Sequence, residues 1–321
     1  MATAKRKKLW LTIIRSIITV LLLYFIFRNI DFENTFKWIQ RSNILYLSTA
    51  ALFIVLFHIL TTSRWRLTLA ACHVHISYLR LLRFHFISLF MQNFLPATIG
   101  QDLVKGFLAF KGNPKIQVAV SIFMARLFGI FSLVLIANIA FLGFGTDNPS
   151  LIKLKTYANI LLLVFILILL VLFNNKFQFI VKRIMSSDKM KLGFLKKLHI
   201  VVILGKINLY KNTRFFLLLF TVSFIIQIIF ILGNYFIFLS IDQSIALFYF
   251  FLFIPVIVFI ALLPISLNGL GIKEGLYYYF FKSLVPSPDI IFAVILLDIS
   301  LRLLFSFIGG VLLVIKGRSQ T

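Results

Sequence analysis

Apolar residues run through this chain in long blocks, with basic residues gathered between them. The blocks at 9–27, 44–63, 116–144, 157–173, 215–239 and 290–315 approach or exceed the roughly 20 residues that a helix needs to cross a bilayer. They lack the alternating segments of about 9–11 residues that build a membrane barrel. Two further blocks are broken. Residues 84–95 are apolar but too short to span; Pro96 and Gly100 interrupt them, and Asp102, Lys105, Lys111 and Lys115 follow. Residues 245–263 contain Pro255 and stop at Pro264, after which 265–285 pass Asn268, Gly269, Gly271, Lys273 and Glu274 before Tyr277, Tyr278 and Tyr279.

The two broken stretches echo each other. Residues 92–106 read QNFLPATIGQDLVKG and residues 262–275 read LLPISLNGLGIKEG; each has Leu-Pro, then glycine, and a lysine nine residues after the proline. Proline removes a backbone donor and breaks a helix. At membrane depth such backbone survives only where protein buries it or where it lines a wet cavity. Matched interruptions in two halves of a chain point to a transporter's binding site. A second echo follows each stretch, Arg126-Leu127 and Arg302-Leu303.

Composition agrees with the pattern. The 321 residues are 61% hydrophobic with a mean hydropathy of +1.04, more apolar surface than a soluble fold can hide. The net charge of +24 raises nucleic acid as a partner. The basic residues sit between apolar blocks, however, where the positive-inside rule expects them, so anionic lipid headgroups are the simpler partner and nucleic acid is not expected. Cys72, the single cysteine, excludes an internal disulfide.

Charge also sets the expected topology. Lys5, Arg6, Lys7 and Lys8 precede the first block, which has no small-residue cleavage site, so it reads as a retained helix with a cytoplasmic N-terminus. Arg64, Arg66, Arg80 and Arg83 then read as a cytoplasmic stretch. The loop at 175–214 carries ten Lys or Arg against Asp188 alone. It stays inside only if the first broken stretch enters and leaves from the cytoplasmic face. Lys316 and Arg318 place the C-terminus inside, which requires the second stretch to open outward. The expectation is an all-α polytopic membrane protein of about 6–8 spans, one domain over 1–321. Its halves, about 1–144 and 157–321, are expected to form an inverted repeat.

The chemistry on offer is thin. Charged residues within spans mark function by default. Asp298 and Arg302, four apart, share a helix face, and Arg126 finds its acid in Asp102 or Glu274. The run Cys72-His73-Val74-His75, with His85, does not complete a four-ligand zinc set. No phosphate-binding G-x-x-x-x-G-K-[ST] loop, H-E-x-x-H or assembled Ser-His-Asp set occurs. Neither an enzyme activity nor a cofactor is expected.

The runs FLPATIGQDLVKGFLAF, SIFMARLFG and LLPISLNGLGIKEG resemble three signatures of the lysylphosphatidylglycerol synthase transmembrane region, also called the flippase-like family. Its pattern falls on Asn93, Pro96, Gly100, Asp102, Lys105, Arg126, Pro264, Gly269, Gly271, Lys273 and Glu274. This sequence departs from it with Gln101 where glycine is commoner, and with lysine for arginine at Lys105 and Lys273. The resemblance implies an inner-membrane protein that moves a polar lipid between leaflets. The soluble aminoacyltransferase domain of bifunctional members is expected to be missing, because the chain ends shortly after its last span.

The resulting expectation is a flippase for an anionic or aminoacylated phospholipid or a lipid-linked sugar. Lys105, Arg126, Lys273 and Arg302 would face a phosphate, and Asp102, Glu274 and Asp298 would balance them or accept an amine. The rivals are a membrane enzyme using Asp102 or Glu274 as acid or base, and an accessory subunit of a lipid-modifying or glycosyl-transferring enzyme. Partner proteins left open are such an enzyme and a second copy of the chain.

Overall fold

The computed structural model describes residues 17–21, 24, 28, 30–95, 100–143, 149–174, 210, 212–263, 266 and 269–318. Pro96, Pro264, Asn268, most of the block at 9–27 and most of the basic loop at 175–214 lie outside these residues. Among the described residues every regular element is a helix. A short helix α1 (Phe32–Gln40) precedes the long α2 (Ile44–Ala71). Helices α3 (Tyr78–Gln92) and α4 (Gly100–Phe110) form the first broken pair, followed by α5 (Lys115–Leu142) and α6 (Pro149–Phe173). The second half has α7 (Thr213–Ser240), the broken pair α8 (Leu247–Ala261) and α9 (Ile272–Phe281), and α10 (Pro288–Arg318).

Five of these, α2, α5, α6, α7 and α10, are long and apolar enough to cross a bilayer. The chain is a polytopic helical membrane protein. Their starts follow local capping chemistry. Asn43 accepts the Leu45 N–H at 2.9 Å to open α2, and Asn212 accepts the Arg214 N–H at 3.0 Å to open α7; each satisfies a donor the first turn leaves free. Pro288 opens α10 at a position where a missing N–H costs nothing. By contrast, α8 has 15 residues with Pro255 inside and reaches only about 22 Å at 1.5 Å per residue.

Two boundaries differ by eight residues from the sequence expectation; one is the start of α6, at Pro149 instead of residue 157. The second span was expected to end at Ser63, with Arg64 and Arg66 in a cytoplasmic stretch; α2 instead continues to Ala71. Arg64 is therefore a helical residue, and it is buried. Nothing in residues 64–71 breaks a helix, and the turn comes only at His73, which adopts a left-handed φ of 56°.

The helix contacts repeat when the halves are exchanged, α2 for α7, α3 for α8, α4 for α9 and α5 for α10. Helix α3 packs on α10 as α8 packs on α5; α4 packs on α5 as α9 packs on α10; and α2 packs on α7. Each broken pair thus braces the long helix that follows the other. The α3–α10 contact is backbone-close: a Cβ on Gly309 would stand 1.9 Å from the Phe86 carbonyl oxygen. One apolar core gathers around Phe238, Phe250, Phe253 and Phe281. The other gathers around Trp65, Leu69, Met124 and Phe128.

Candidate functional site

A cavity of about 390 Å³ lies among α2, α3, α4, α5, α7 and α10. Ligand sites span roughly 300–1,000 Å³, so the size is ordinary for a small polar group. Its lining is not ordinary for a membrane interior. Arg64, Asp102, Lys105, Arg126, Asp298 and Arg302 all border it, and charges are expensive in hydrocarbon unless paired or hydrated.

The first half supplies most of these charges. Asp102, in the first turn of α4, accepts from Arg126 Nη1 on α5 at 2.7 Å, which decides the sequence alternatives in favour of Asp102. Lys105, one helical turn on, is only 6% exposed. Its Nζ stands 5.8 Å from the centre of the Trp65 ring on α2, a favourable cation–π placement. Arg64 is 8% exposed. Its guanidinium occupies the space a side chain at Gly129 would take, 2.8 Å from where that Cβ would be, and donates to Ser223 Oγ at 3.3 Å. Among the described residues its Nε has no partner.

The second half forms a tighter group. Asp298 Oδ2 receives Lys273 Nζ at 2.8 Å and Arg302 Nη2 at 3.0 Å, and Arg302 also reaches Glu274 Oε1 at 3.7 Å. Glu274 is engaged a second time through Oε2, which accepts the Gly271 N–H at 2.7 Å. This is half of a capping box, since glycine has no side chain to give the other half. Gly271 and Gly269 hold φ of 81° and 76°, a backbone that glycine adopts freely. They turn the chain into α9 and so aim Lys273 and Glu274 at α10.

Of the residues expected to form the site, Asn93, Asp102, Lys105, Arg126, Asp298 and Arg302 border the cavity together. Asn93 also ties the first broken pair to α10 by donating to Ser306 Oγ at 3.1 Å. Lys273 and Glu274 stand behind the wall, around Asp298. Gly100, Gly269 and Gly271 shape backbone and are not lining residues.

Three cavity residues were not among those expected to form the site. Arg64 was grouped with basic loop residues. His58 and His85 face each other across α2 and α3, Nδ1 to Nε2 at 2.9 Å, both buried and both bordering the cavity. His85 therefore does not join Cys72, which instead contacts the Tyr210 hydroxyl at 3.1 Å. The signal for His58 was available: a histidine inside an apolar span. Among the described residues no three His, Cys, Asp or Glu side chains are grouped to hold a metal ion.

The arrangement can do two things chemically. It can stabilise an anion in a low-dielectric setting, and it can compensate a polar group for lost hydration. The comparisons with known proteins agree with a membrane identity. The UPF0104 membrane protein PH1989 of Pyrococcus horikoshii is 24% identical over 342 aligned positions, which take in 97% of this chain and 98% of that protein. A family model described as the lysylphosphatidylglycerol synthase TM region matches residues 12–310. The chain belongs to the lysylphosphatidylglycerol synthase TM region family.

Proposed function

We propose that this protein moves a lipid with a polar headgroup between the leaflets of a cell's inner membrane, the headgroup passing through the charged cavity while the acyl chains stay in lipid. One observation carries the reading: a cavity bordered by charged side chains from both halves of the chain, beside helices too short to cross a bilayer. A headgroup crossing bare hydrocarbon loses its hydration at a cost of several kcal/mol or more. Fixed charges and dipoles in a groove offset that loss. Leaflet transfer of a labelled lipid in vesicles, measured per folded protein, tests the reading; a rate equal to that of protein-free vesicles for every headgroup sinks it.

The two equivalent lysines then have unequal roles. Lys105 borders the cavity, and among the described residues no carboxylate lies within 4.0 Å of it. A charge-assisted contact is worth about 1.5–3 kcal/mol, so Lys105→Gln is expected to slow transfer about tenfold to a hundredfold with folding intact, and Lys105→Arg to preserve it. Lys273 is held by Asp298, so Lys273→Gln is expected to reduce the amount of folded protein and to change the rate per folded molecule far less. Equal rate losses for Lys105→Gln and Lys273→Gln would reject this division.

The charge distribution of the sequence supports cytoplasmic termini and two broken pairs that open to opposite faces. Lys111 and Ser283 are both exposed, one just beyond each pair. With Cys72 replaced, a cysteine at 111 is expected to react with an impermeant maleimide from the cytoplasmic side and one at 283 from the outside. Labelling of both from one side rules out the inverted repeat.

A further inference from the structure

We infer that the cavity is built for a doubly negative phosphate group held between Arg64, Lys105 and Arg126. On the transport reading above, on which this rests, the lipid carried has a terminal phosphate and is not an aminoacylated, cationic one.

The two halves of the chain differ in how their charges balance. Around Asp298 the group is balanced: Lys273 and Arg302 against Asp298 and Glu274, all joined by contacts of 2.8–3.7 Å. In the first half, among the described residues, Arg64, Lys105 and Arg126 face the cavity against Asp102 alone, an excess of two positive charges. His58 and His85 border the same space and add no negative charge. Both carboxylates that reach the cavity are already committed, Asp102 to Arg126 at 2.7 Å and Asp298 to Lys273 and Arg302. Among the described residues no carboxylate free of an ion pair borders the cavity, so a cationic headgroup would meet a net positive site.

The first-half cations are also short of partners. Arg64 is buried with a neutral hydroxyl at 3.3 Å as its charged head's contact and an orphaned Nε. Lys105 is buried with an aromatic face for company. Three cations that share one carboxylate, Asp102, are costly to hold in a buried setting, and the cost is relieved by a ligand that brings the missing charge. Arginine forks and a lysine ammonium are the usual grip on phosphate oxygens. The Asp102 contact engages Nη1 of Arg126, leaving its other donors for an oxygen. A phosphodiester, with one charge, would leave the excess half answered; a phosphomonoester answers it.

The test uses the full chain purified in mild detergent at pH 8, where a phosphomonoester with a second pKa of about 6 carries close to two charges. Binding of dioleoyl phosphatidic acid, phosphatidylglycerol, phosphatidylethanolamine and lysyl-phosphatidylglycerol is measured by native mass spectrometry and by shift in melting temperature. Phosphatidic acid is expected to bind about tenfold or more tighter than phosphatidylglycerol, the value of one charge-assisted contact, with the lysyl lipid weakest. Lys105→Gln and Arg64→Gln should each close most of that gap, and Lys105→Arg should keep it. Should Arg64→Gln not fold, the lysine pair decides alone. Equal binding of phosphatidic acid and phosphatidylglycerol by wild type, or an unchanged gap in Lys105→Gln, overturns the inference. Inorganic phosphate serves as the lipid-free arm. Protection by it with none from phosphatidic acid supports a dianion site and removes the lipid-transport reading beneath it.

Discussion

Gly309→Ala is expected to remove most of the folded protein from the membrane. Alanine is the better helix former by about 1 kcal/mol, so on local grounds the change in the middle of α10 should help. Packing reverses the sign. The added methyl would stand 1.9 Å from the Phe86 carbonyl oxygen and 2.5 Å from its carbon. Both belong to the α3 backbone, which cannot turn aside as a side chain would. The helices must separate, and α3 and α10 together carry His85, Asn93, Asp298, Arg302 and Ser306 of the cavity wall. The cost therefore exceeds the roughly 1–3 kcal/mol of ordinary overpacking. Gly310→Ala is the control: its methyl would meet the Phe90 ring at 2.9 Å, and a ring can rotate. The monodisperse fraction on gel filtration and the melting temperature in detergent separate the two. A Gly309→Ala protein that matches wild type in both would contradict the described crossing.

Asp298→Asn should be comparably damaging, and its rescue pattern is diagnostic. The carboxylate holds two cations at 2.8 and 3.0 Å with 11% of its own side chain exposed. Removing one partner from such a cluster costs about 3–5 kcal/mol, because it strands buried charge. Adding Lys273→Met restores balance: Arg302 remains with Glu274, 3.7 Å away. Adding Arg302→Gln balances the count as well but leaves Lys273 and Glu274 with no ion pair between them. The Asp298→Asn, Lys273→Met protein should accordingly be the more abundant and the more thermostable of the two doubles. A simple pair four residues apart predicts the opposite ranking, and finding it would reject the four-charge group.

Much of this fold was legible because membranes punish irregular backbone. The Leu-Pro and glycine interruptions mark both breaks between helices, α3 to α4 and α8 to α9, and charge economy finds Asp298 with Arg302 and narrows the partner of Arg126 to Asp102 or Glu274. The failures share a cause: they depend on a third helix. Arg64 looks like its neighbour Arg66 in any count of basic residues, and only the space left by Gly129 on α5 takes it inward. Lys105 and Lys273 occupy the same place in the two echoing motifs. They differ because α10 presents Asp298 to one, while α5 presents Arg126 beside the other, paired to Asp102. No spacing within a motif encodes what the facing helix carries.

The cross-bracing of the halves also sets a clock on the ribosome. Phe86 meets Gly309, so the inner wall of the first broken pair is missing until more than two hundred further residues have been made. At about 5–20 residues per second that is roughly 10–45 seconds during which α3 has no α10 to lean on. Insertion and assembly are thus separate events for this chain. Its first half enters the bilayer early and reaches its final packing only when α10, the last described helix, arrives, and a nascent chain halted after α9 would expose Arg64 and Lys105 beside an unfinished wall.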